Sequence, residues 1–327
     1  MIRLGVIGTG MIAKEFLPAF VSLPEYEVRG ILSTTRSLPV ARALCDQWGI
    51  PCATDDFDTL CASGIDTVYI ALPNLLHRDY CVRSLERGLN VIVEKPITCR
   101  AEEAREVAAL AQEKDLFLFE AITTLHLPNY HKIRTWLPRL GEIKGASLNY
   151  SQYSSRYDSF CAGEIHPVFD PAKSGGALMA LNLYNLHYLL GLFGARTEAH
   201  YLPNLERGID TSGLVTLRYP GFSCSAFAAK DSVAPLSCVI QGTKGYLVQD
   251  SAPNFCLGVS LHLHDGTVEH YDCHPESRME PEFRAFEGAI RRGDYAFCEA
   301  MMERTLEVCR VMTAVRLEAG IRFPADR

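Results

Sequence analysis

Apolar positions along the first 120 residues alternate between two spacings. Ile2 to Ile7 is a short continuous apolar run, read as a strand, and Met11 to Val21 carries the spacing of a helix. The alternation repeats. Strands are expected at Tyr26–Leu32, Thr67–Ala71, Asn90–Val93 and Leu116–Phe119, and helices at Leu38–Trp48, Leu76–Arg87 and Ala101–Lys114. Strands separated by helices imply a parallel sheet with helices on both faces. Runs such as "TVYIAL" and "NVIV" suit strands buried on both sides. The fold class is therefore α/β, with a doubly wound parallel sheet at the N-terminus.

Beyond residues 121–125 the pattern changes. Strand-like runs meet at turn signals: Tyr219-Pro220-Gly221-Phe222, Gln241-Gly242-Thr243-Lys244-Gly245 and His264-Asp265-Gly266. Helical patterning returns at Glu282–Ile290 and Tyr295–Ala319.

One segment resists this division. "GGALMALNLYNLHYLLGLFG", residues 175–194, has nearly the length and apolarity of a membrane span. Asn182, Asn185 and His187 interrupt it, each costly in lipid, and no cluster of basic residues flanks it. It is expected to be a helix of a water-soluble protein.

Composition agrees. Of 327 residues, 48% are hydrophobic and 22% charged, the balance of a globular chain long enough for two domains. The net charge of −7 offers no general attraction to nucleic acid or anionic lipid. The twelve cysteines are scattered without a CxxC pair and are read as reduced thiols. The chain opens on a strand without a secretory signal pattern, so a cytoplasmic protein is expected.

Between the first strand and helix stands Gly8-Thr9-Gly10-Met11-Ile12-Ala13. Gly8 permits a tight turn, Gly10 lets the backbone approach a pyrophosphate, and Ala13 lets the helix pack closely. The free N–H groups of the helix start then face the anion. In this strand–turn–helix setting the motif predicts a dinucleotide site at Gly8, Thr9, Gly10, Met11 and Ile12. At the end of the second strand, where NAD-binding domains place an acid, the chain has Ser33-Thr34-Thr35-Arg36-Ser37. Thr35 and Arg36 suit a 2′-phosphate, so the expected cofactor is NADP, with NAD as the alternative.

Two more motifs follow. "YIALPNLLH", Tyr69 to His77, and "VIVEKPIT", Val91 to Thr98, each end a strand in a proline-containing turn. With the glycine motif, Glu120-Ala121, Phe169-Asp170-Pro171 and Gly175-Gly176-Ala177-Leu178-Met179, they resemble the Gfo/Idh/MocA oxidoreductases. The resembling branch is the dihydrodiol and aldose dehydrogenases, with glucose–fructose oxidoreductase. The resemblance implies a Rossmann domain over residues 1–122. A substrate-binding and oligomerisation domain over 123–327 would carry a large, open, mostly antiparallel sheet. It implies hydride transfer between a nicotinamide and a CH–OH or C=O group of a sugar, polyol or dihydrodiol. Pro73, Asn74, His77, Glu94 and Lys95 would stand at the cofactor, and Lys95 would hydrogen-bond the substrate hydroxyl.

The resemblance also gives the apolar segment a role. In the family a Gly-Gly stretch leads into a helix bearing an acid, then a His or Tyr four residues later. The matching positions here are Ala180 and Tyr184. Helical spacing puts them on one face, where His187 joins them as a candidate substrate residue. Lys95 and Tyr184 are the expected catalytic pair, an ammonium favouring the phenolate of a tyrosine whose pKa is ordinarily about 10. Ala180 departs from the pattern, since a methyl takes no proton. The alternative is an NADP-binding sensor or partner protein with weak or no turnover.

No metal site is expected. His262, His264, His270, Cys273 and His274 cluster in the sequence, but an Asp265-Gly266 hairpin would set His262 opposite Glu269 and His264 opposite Thr267, leaving no tight ligand set. An open sheet with one face uncovered predicts a homodimer, or a pair of dimers, joined through that sheet.

Overall fold

The computed structural model describes residues 1–326. The chain divides into two units: Met1–Ala121 with Met279–Glu303, and Ile122–Arg278 with the segment from Arg304 onward.

The N-terminal unit alternates as its apolar spacing dictates. Its elements are β1 (Ile2–Ile7), α1 (Met11–Ser22), β2 (Tyr26–Leu32), α2 (Leu38–Trp48), β3 (Cys52–Thr54) and α3 (Phe57–Ala62). They continue with β4 (Thr67–Ile70), α4 (His77–Glu86), β5 (Asn90–Glu94), α5 (Ala101–Glu113) and β6 (Leu118–Ala121). All neighbours pair in parallel, in the order β3-β2-β1-β4-β5-β6. This is the doubly wound dinucleotide-binding order, whose reversal lies between β1 and β4. The strands are buried on both faces: Val68, Tyr69, Ile70, Val91, Ile92 and Val93 are sealed from solvent.

The second unit begins with α6 (Pro128–Trp136), β7 (Ile143–Ser151) and the short α7 (Tyr157–Cys161). A π-helical turn, Leu178–Asn182, runs directly into α8 (Leu183–Phe193). Then come β8 (Glu198–Glu206), β9 (Ile209–Tyr219), β10 (Phe222–Ala229), β11 (Ser237–Gly242), β12 (Gly245–Gln249), β13 (Val259–Leu263) and β14 (Val268–Tyr271). These strands form one eight-stranded sheet, β14-β13-β12-β11-β7-β10-β9-β8, antiparallel except where β10 runs parallel to β7. Alternation sorts its faces. Ala146, Leu148 and Tyr150 of β7 point inward, while Ser147 and Asn149 point outward.

Two helices follow, α9 (Glu280–Arg292) and α10 (Tyr295–Glu318). The sequence division into 1–122 and 123–327 had assigned both to the second domain. Residues 279–303 instead pack into the first unit. The reason is aromatic. Phe283 is fully buried with its ring centroid 4.4 Å from Phe20 and 5.1 Å from Phe16, and its carbonyl accepts the Tyr26 hydroxyl at 2.7 Å. Burying such a ring contributes about 1.5–3 kcal/mol.

The hairpin between β13 and β14 differs from the expected one. Leu263 N–H donates to Thr267, leaving a three-residue loop with Gly266 at φ 91°. Such a loop shifts the register by one residue relative to a two-residue turn. His262 therefore faces Val268, and Glu269 faces Leu261. Among the described residues no group of three or more His, Cys, Asp or Glu side chains is placed to hold a metal, and no helix is long and apolar enough to cross a membrane.

Candidate active site

At the carboxyl ends of β1 and β4 the geometry of the glycine turn is set by contact. Gly8 has φ 121°, and a Cβ there would overlap the carbonyl oxygen of Ala71. Its N–H donates to Leu32 at 2.9 Å, and Ala71 N–H donates to Ile7 at 2.9 Å. The turn is thus tied to both neighbouring strands. Gly10 differs: a Cβ there would meet nothing within 4 Å. It precedes α1, whose first turn has no acidic residue and no side-chain cap. Ala13 is buried at the helix–sheet contact. An open approach to uncapped N–H groups, with no negative charge in that turn, fits a pyrophosphate.

After β2, Thr34 and Ser37 close a capping box. Ser37 N–H donates to Thr34 Oγ1 at 3.3 Å, and Thr34 N–H donates to Ser37 Oγ at 3.2 Å. The pair uses up its own hydroxyls and leaves Thr35 and Arg36 exposed on the tip of the turn.

The turns after β4 and β5 are joined from within. His77 is sealed from solvent, with Nδ1 2.8 Å from the Pro96 carbonyl and Nε2 2.8 Å from the Leu72 carbonyl. Each ring nitrogen thus faces a backbone carbonyl, and His77 spans the two turns. Burial pulls its pKa below the usual value, against the two carbonyls and Glu120, which raise it. Glu94 is likewise inward. One carboxylate oxygen accepts the Tyr69 hydroxyl at 2.7 Å and the other accepts the Lys95 N–H at 3.3 Å. Burial, then the charge of Glu94, drives the Tyr69 phenol well above its ordinary pKa, so it remains a donor. Glu120 accepts the Ile97 N–H at 2.9 Å. Two buried carboxylates thus brace Lys95-Pro96-Ile97, whose Lys95–Pro96 bond is cis. Lys95 itself is half-buried, Asn74 half-buried and Pro73 exposed.

In the second unit every residue from Leu183 to Leu190 is buried. Tyr184 is 8% exposed, its ring centroid 6.0 Å from that of Tyr150 on β7. His187 is only 1% exposed. The helix is also covered away from the sheet: one turn past His187, a Cβ at Gly191 would meet the Tyr130 hydroxyl and Leu125. Asn182 donates to the Gly213 carbonyl at 3.3 Å, and Asn185 donates to Phe227 at 3.2 Å and to Asn182 Oδ1 at 2.8 Å. Asn182 and Asn185, two of the polar interruptions of the apolar segment, dock it on the sheet. Ala180 is half-buried.

The spacing arguments missed the π turn and also Asp210, whose carboxylate receives the Leu178 N–H at 2.7 Å. No local motif marks that residue, because its partner lies 32 positions away.

Comparison with known proteins agrees with this architecture. Residues 2–121 match the Gfo/Idh/MocA model, described as an oxidoreductase family with an NAD-binding Rossmann fold. The chain is 31% identical over its whole length, and over the whole relative, to scyllo-inositol 2-dehydrogenase (NADP(+)) IolU of Bacillus subtilis. It is 36% identical, covering 100% of this chain and 99% of the relative, to the uncharacterized oxidoreductase YgjR of Escherichia coli. Its fold superposes on KijD10, a 3-ketoreductase from Actinomadura kijaniata solved with NADP and TDP-benzene. That TM-score is 0.85 at 24% identity, covering 98% of each chain.

Proposed function

The chain belongs to the Gfo/Idh/MocA oxidoreductase family, and on that footing we propose that it is an NADP-dependent dehydrogenase or reductase of a hydroxylated small molecule. The observation that carries this reading is the glycine turn. Gly8 is fixed by backbone contact, while Gly10 is open toward an uncapped helix start. Thr35 and Arg36 would bind the 2′-phosphate, and Gly8 to Ile12 the pyrophosphate. The IolU relative is named as NADP-dependent, which supports the same choice.

NADP would supply the carbon that accepts or returns a hydride. The protein supplies the rest. Lys95, on a turn braced by Glu94, Glu120 and His77, would hydrogen-bond the substrate oxygen. In oxidation it would stabilise that oxygen while the C–H hydride goes to the nicotinamide and the O–H proton to a base. Tyr184 would take this proton as a phenolate and, in reduction, return it as a phenol. With a methyl at Ala180, the acid–base work falls to these two groups. Pro73 and Asn74 would border the nicotinamide. The substrate class is a polyol, sugar or dihydrodiol, the first supported by the inositol-oxidising relative.

The sheet offers a self-association surface. Its register places Leu202, Leu214, Phe227, Val239, Tyr246 and Val268 on one face. Leu202 and Val268 are each 63% exposed. These apolar side chains, set among Ser147, Asn149, Thr216, Ser225 and His262 on the same face, support a homodimer, or a pair of dimers. Light scattering would then give at least twice the chain mass, and a monomer at all concentrations would contradict it.

Incubating the intact protein with a panel of polyols, aldoses and diols, with NADP and with NAD, tests the activity. Formation of reduced nicotinamide with at least one substrate, faster with NADP, is expected. Tight NADP binding without turnover anywhere on the panel would instead favour a sensor.

A further inference from the structure

Asp210 opens β9 almost sealed from solvent, at 1% exposure. Its Oδ2 accepts two donors, the Leu178 N–H at 2.7 Å and the Tyr201 hydroxyl at 2.7 Å. Its Oδ1 lies against Gly176, where any Cβ would collide with the carboxylate, and Gly176 has φ 107°. The side chain thus touches the Gly-Gly turn and the first residue of the π turn together.

That turn needs an outside partner. The first N–H groups of a helix have no acceptor within it. Here the segment's own residues provide no side-chain cap. A π turn is also an uncommon conformation that persists where its surroundings hold it. Burial raises the Asp210 pKa to about 6, while the Leu178 N–H, the Tyr201 hydroxyl and the charge of Lys230 pull it back down. Tyr201 keeps its proton, because burial and then the charge of Asp210 raise its own pKa. Asp231, which accepts the Thr211 and Ser212 hydroxyls at 2.7 and 2.8 Å, raises it further.

We propose that Asp210 is a positioning residue: its carboxylate, held from the sheet, fixes the entry of the helix that carries Tyr184. The catalytic part of this inference rests on the reading of Tyr184 given above. Asp210 is not a replacement for the acid missing at Ala180. It is buried, its Oδ2 accepts the Leu178 N–H and the Tyr201 hydroxyl, and its Oδ1 is packed against Gly176. Its work is geometric. The π turn leads without a break into Leu183 and Tyr184, so a displaced Leu178 displaces the phenol.

Two readouts test it. Amide hydrogen exchange of residues 178–184 is compared with that of β13, and kcat is compared with the NADP KM. In Asp210→Ala the entry amides should exchange about tenfold faster or more, the size of one orphaned buried hydrogen bond, with β13 unchanged. The same variant should lose kcat by about tenfold or more and keep its KM for NADP. Asp210→Asn, which retains an acceptor oxygen for Leu178, should recover both to within about threefold. Unchanged entry exchange in Asp210→Ala, or an equal rise in β13, would overturn the proposal. If Asp210→Ala does not fold, Asp210→Asn decides: a loss of kcat of about tenfold or more there would show that the charge, not the anchor, matters. Tyr184→Phe separates the two readings. Full turnover in that variant removes the catalytic role of Tyr184, while the exchange result still decides the anchor.

Discussion

The His77 ring stands 2.8 Å from the carbonyl oxygen of Pro96, and its other nitrogen stands 2.8 Å from that of Leu72. One buried side chain therefore spans the turns after β4 and β5, which carry Asn74 and Lys95. A neutral imidazole has a single N–H to donate, so the two acceptors compete for it, and both favour the protonated ring. His77→Ala would leave buried carbonyls without that donor. It should cost roughly 1–3 kcal/mol of stability, read as a lower urea midpoint, and should raise KM for the nicotinamide cofactor. A variant of unchanged stability and KM would remove His77 from the architecture of the site.

The exposed tip at Thr35-Arg36 predicts a selective effect. Arg36→Ala should weaken NADP by roughly 1.5–3 kcal/mol, the range for a hydrogen bond to a charged group, and leave NAD nearly untouched. Calorimetric titration with both cofactors checks this. Equal losses would count against a 2′-phosphate contact.

The two glycines of the turn should fail differently. Gly8→Ala places a Cβ against Ala71 at a φ that side chains rarely adopt, so folding itself should suffer. At Gly10 a Cβ meets no protein atom within 4 Å. Gly10→Ala should fold with a thermal midpoint close to that of the unmodified protein, yet bind NADP at least about tenfold more weakly, because the methyl occupies the pyrophosphate approach. Normal cofactor affinity in Gly10→Ala would place the nucleotide elsewhere.

Asp210 gives a pH dependence of stability with a definite sign. Its folded pKa of about 6 lies above the ordinary 3.8. The folded state thus binds the proton more tightly, and the resulting stability is present below about pH 4 and lost as the pH rises through about 6. The full swing is roughly 3 kcal/mol. Burial acts oppositely on His77 and on His126, the latter lowered to about 3. Their contribution is present above about pH 6.5 and lost as the pH falls. Both histidines remain in Asp210→Asn, so the stability difference between the two proteins isolates Asp210. That difference, unmodified minus variant, should fall as the pH is raised across the window. A difference that stays level or rises would contradict the assignment.

Much of the N-terminal unit was legible because its strands are continuous apolar runs and its helices keep their period. Tyr26–Leu32 and Leu38–Trp48 have the same limits in sequence and structure. Cys52–Thr54 and Phe57–Ala62 were missed, being too short for either period to register; Asp56 caps the latter through Thr59. β6 lies two residues beyond the expected strand, since Leu116 and Phe117 are apolar yet only lead into the pairing with β5. At the candidate site, the residues a local motif singles out in the sequence are Gly8, Gly10, Arg36 and Lys95. The inward turn of His77 and Glu94 was not legible. Their partners, the Pro96 carbonyl and the Tyr69 hydroxyl, lie 19 and 25 residues away. The same limit applies to the aromatic packing that draws Phe283 into the first unit.

The most direct measurement of the central claim is the rate at which a polyol such as scyllo-inositol reduces NADP in the presence of the unmodified protein, Lys95→Met and Tyr184→Phe. The account predicts reduced nicotinamide and ketone in equal amounts with the unmodified protein. It predicts a fall in kcat of about 10²-fold or more in each variant, with NADP affinity retained. Undiminished turnover in Lys95→Met, or no turnover by the unmodified protein with any polyol, sugar or diol and either nicotinamide, would contradict it.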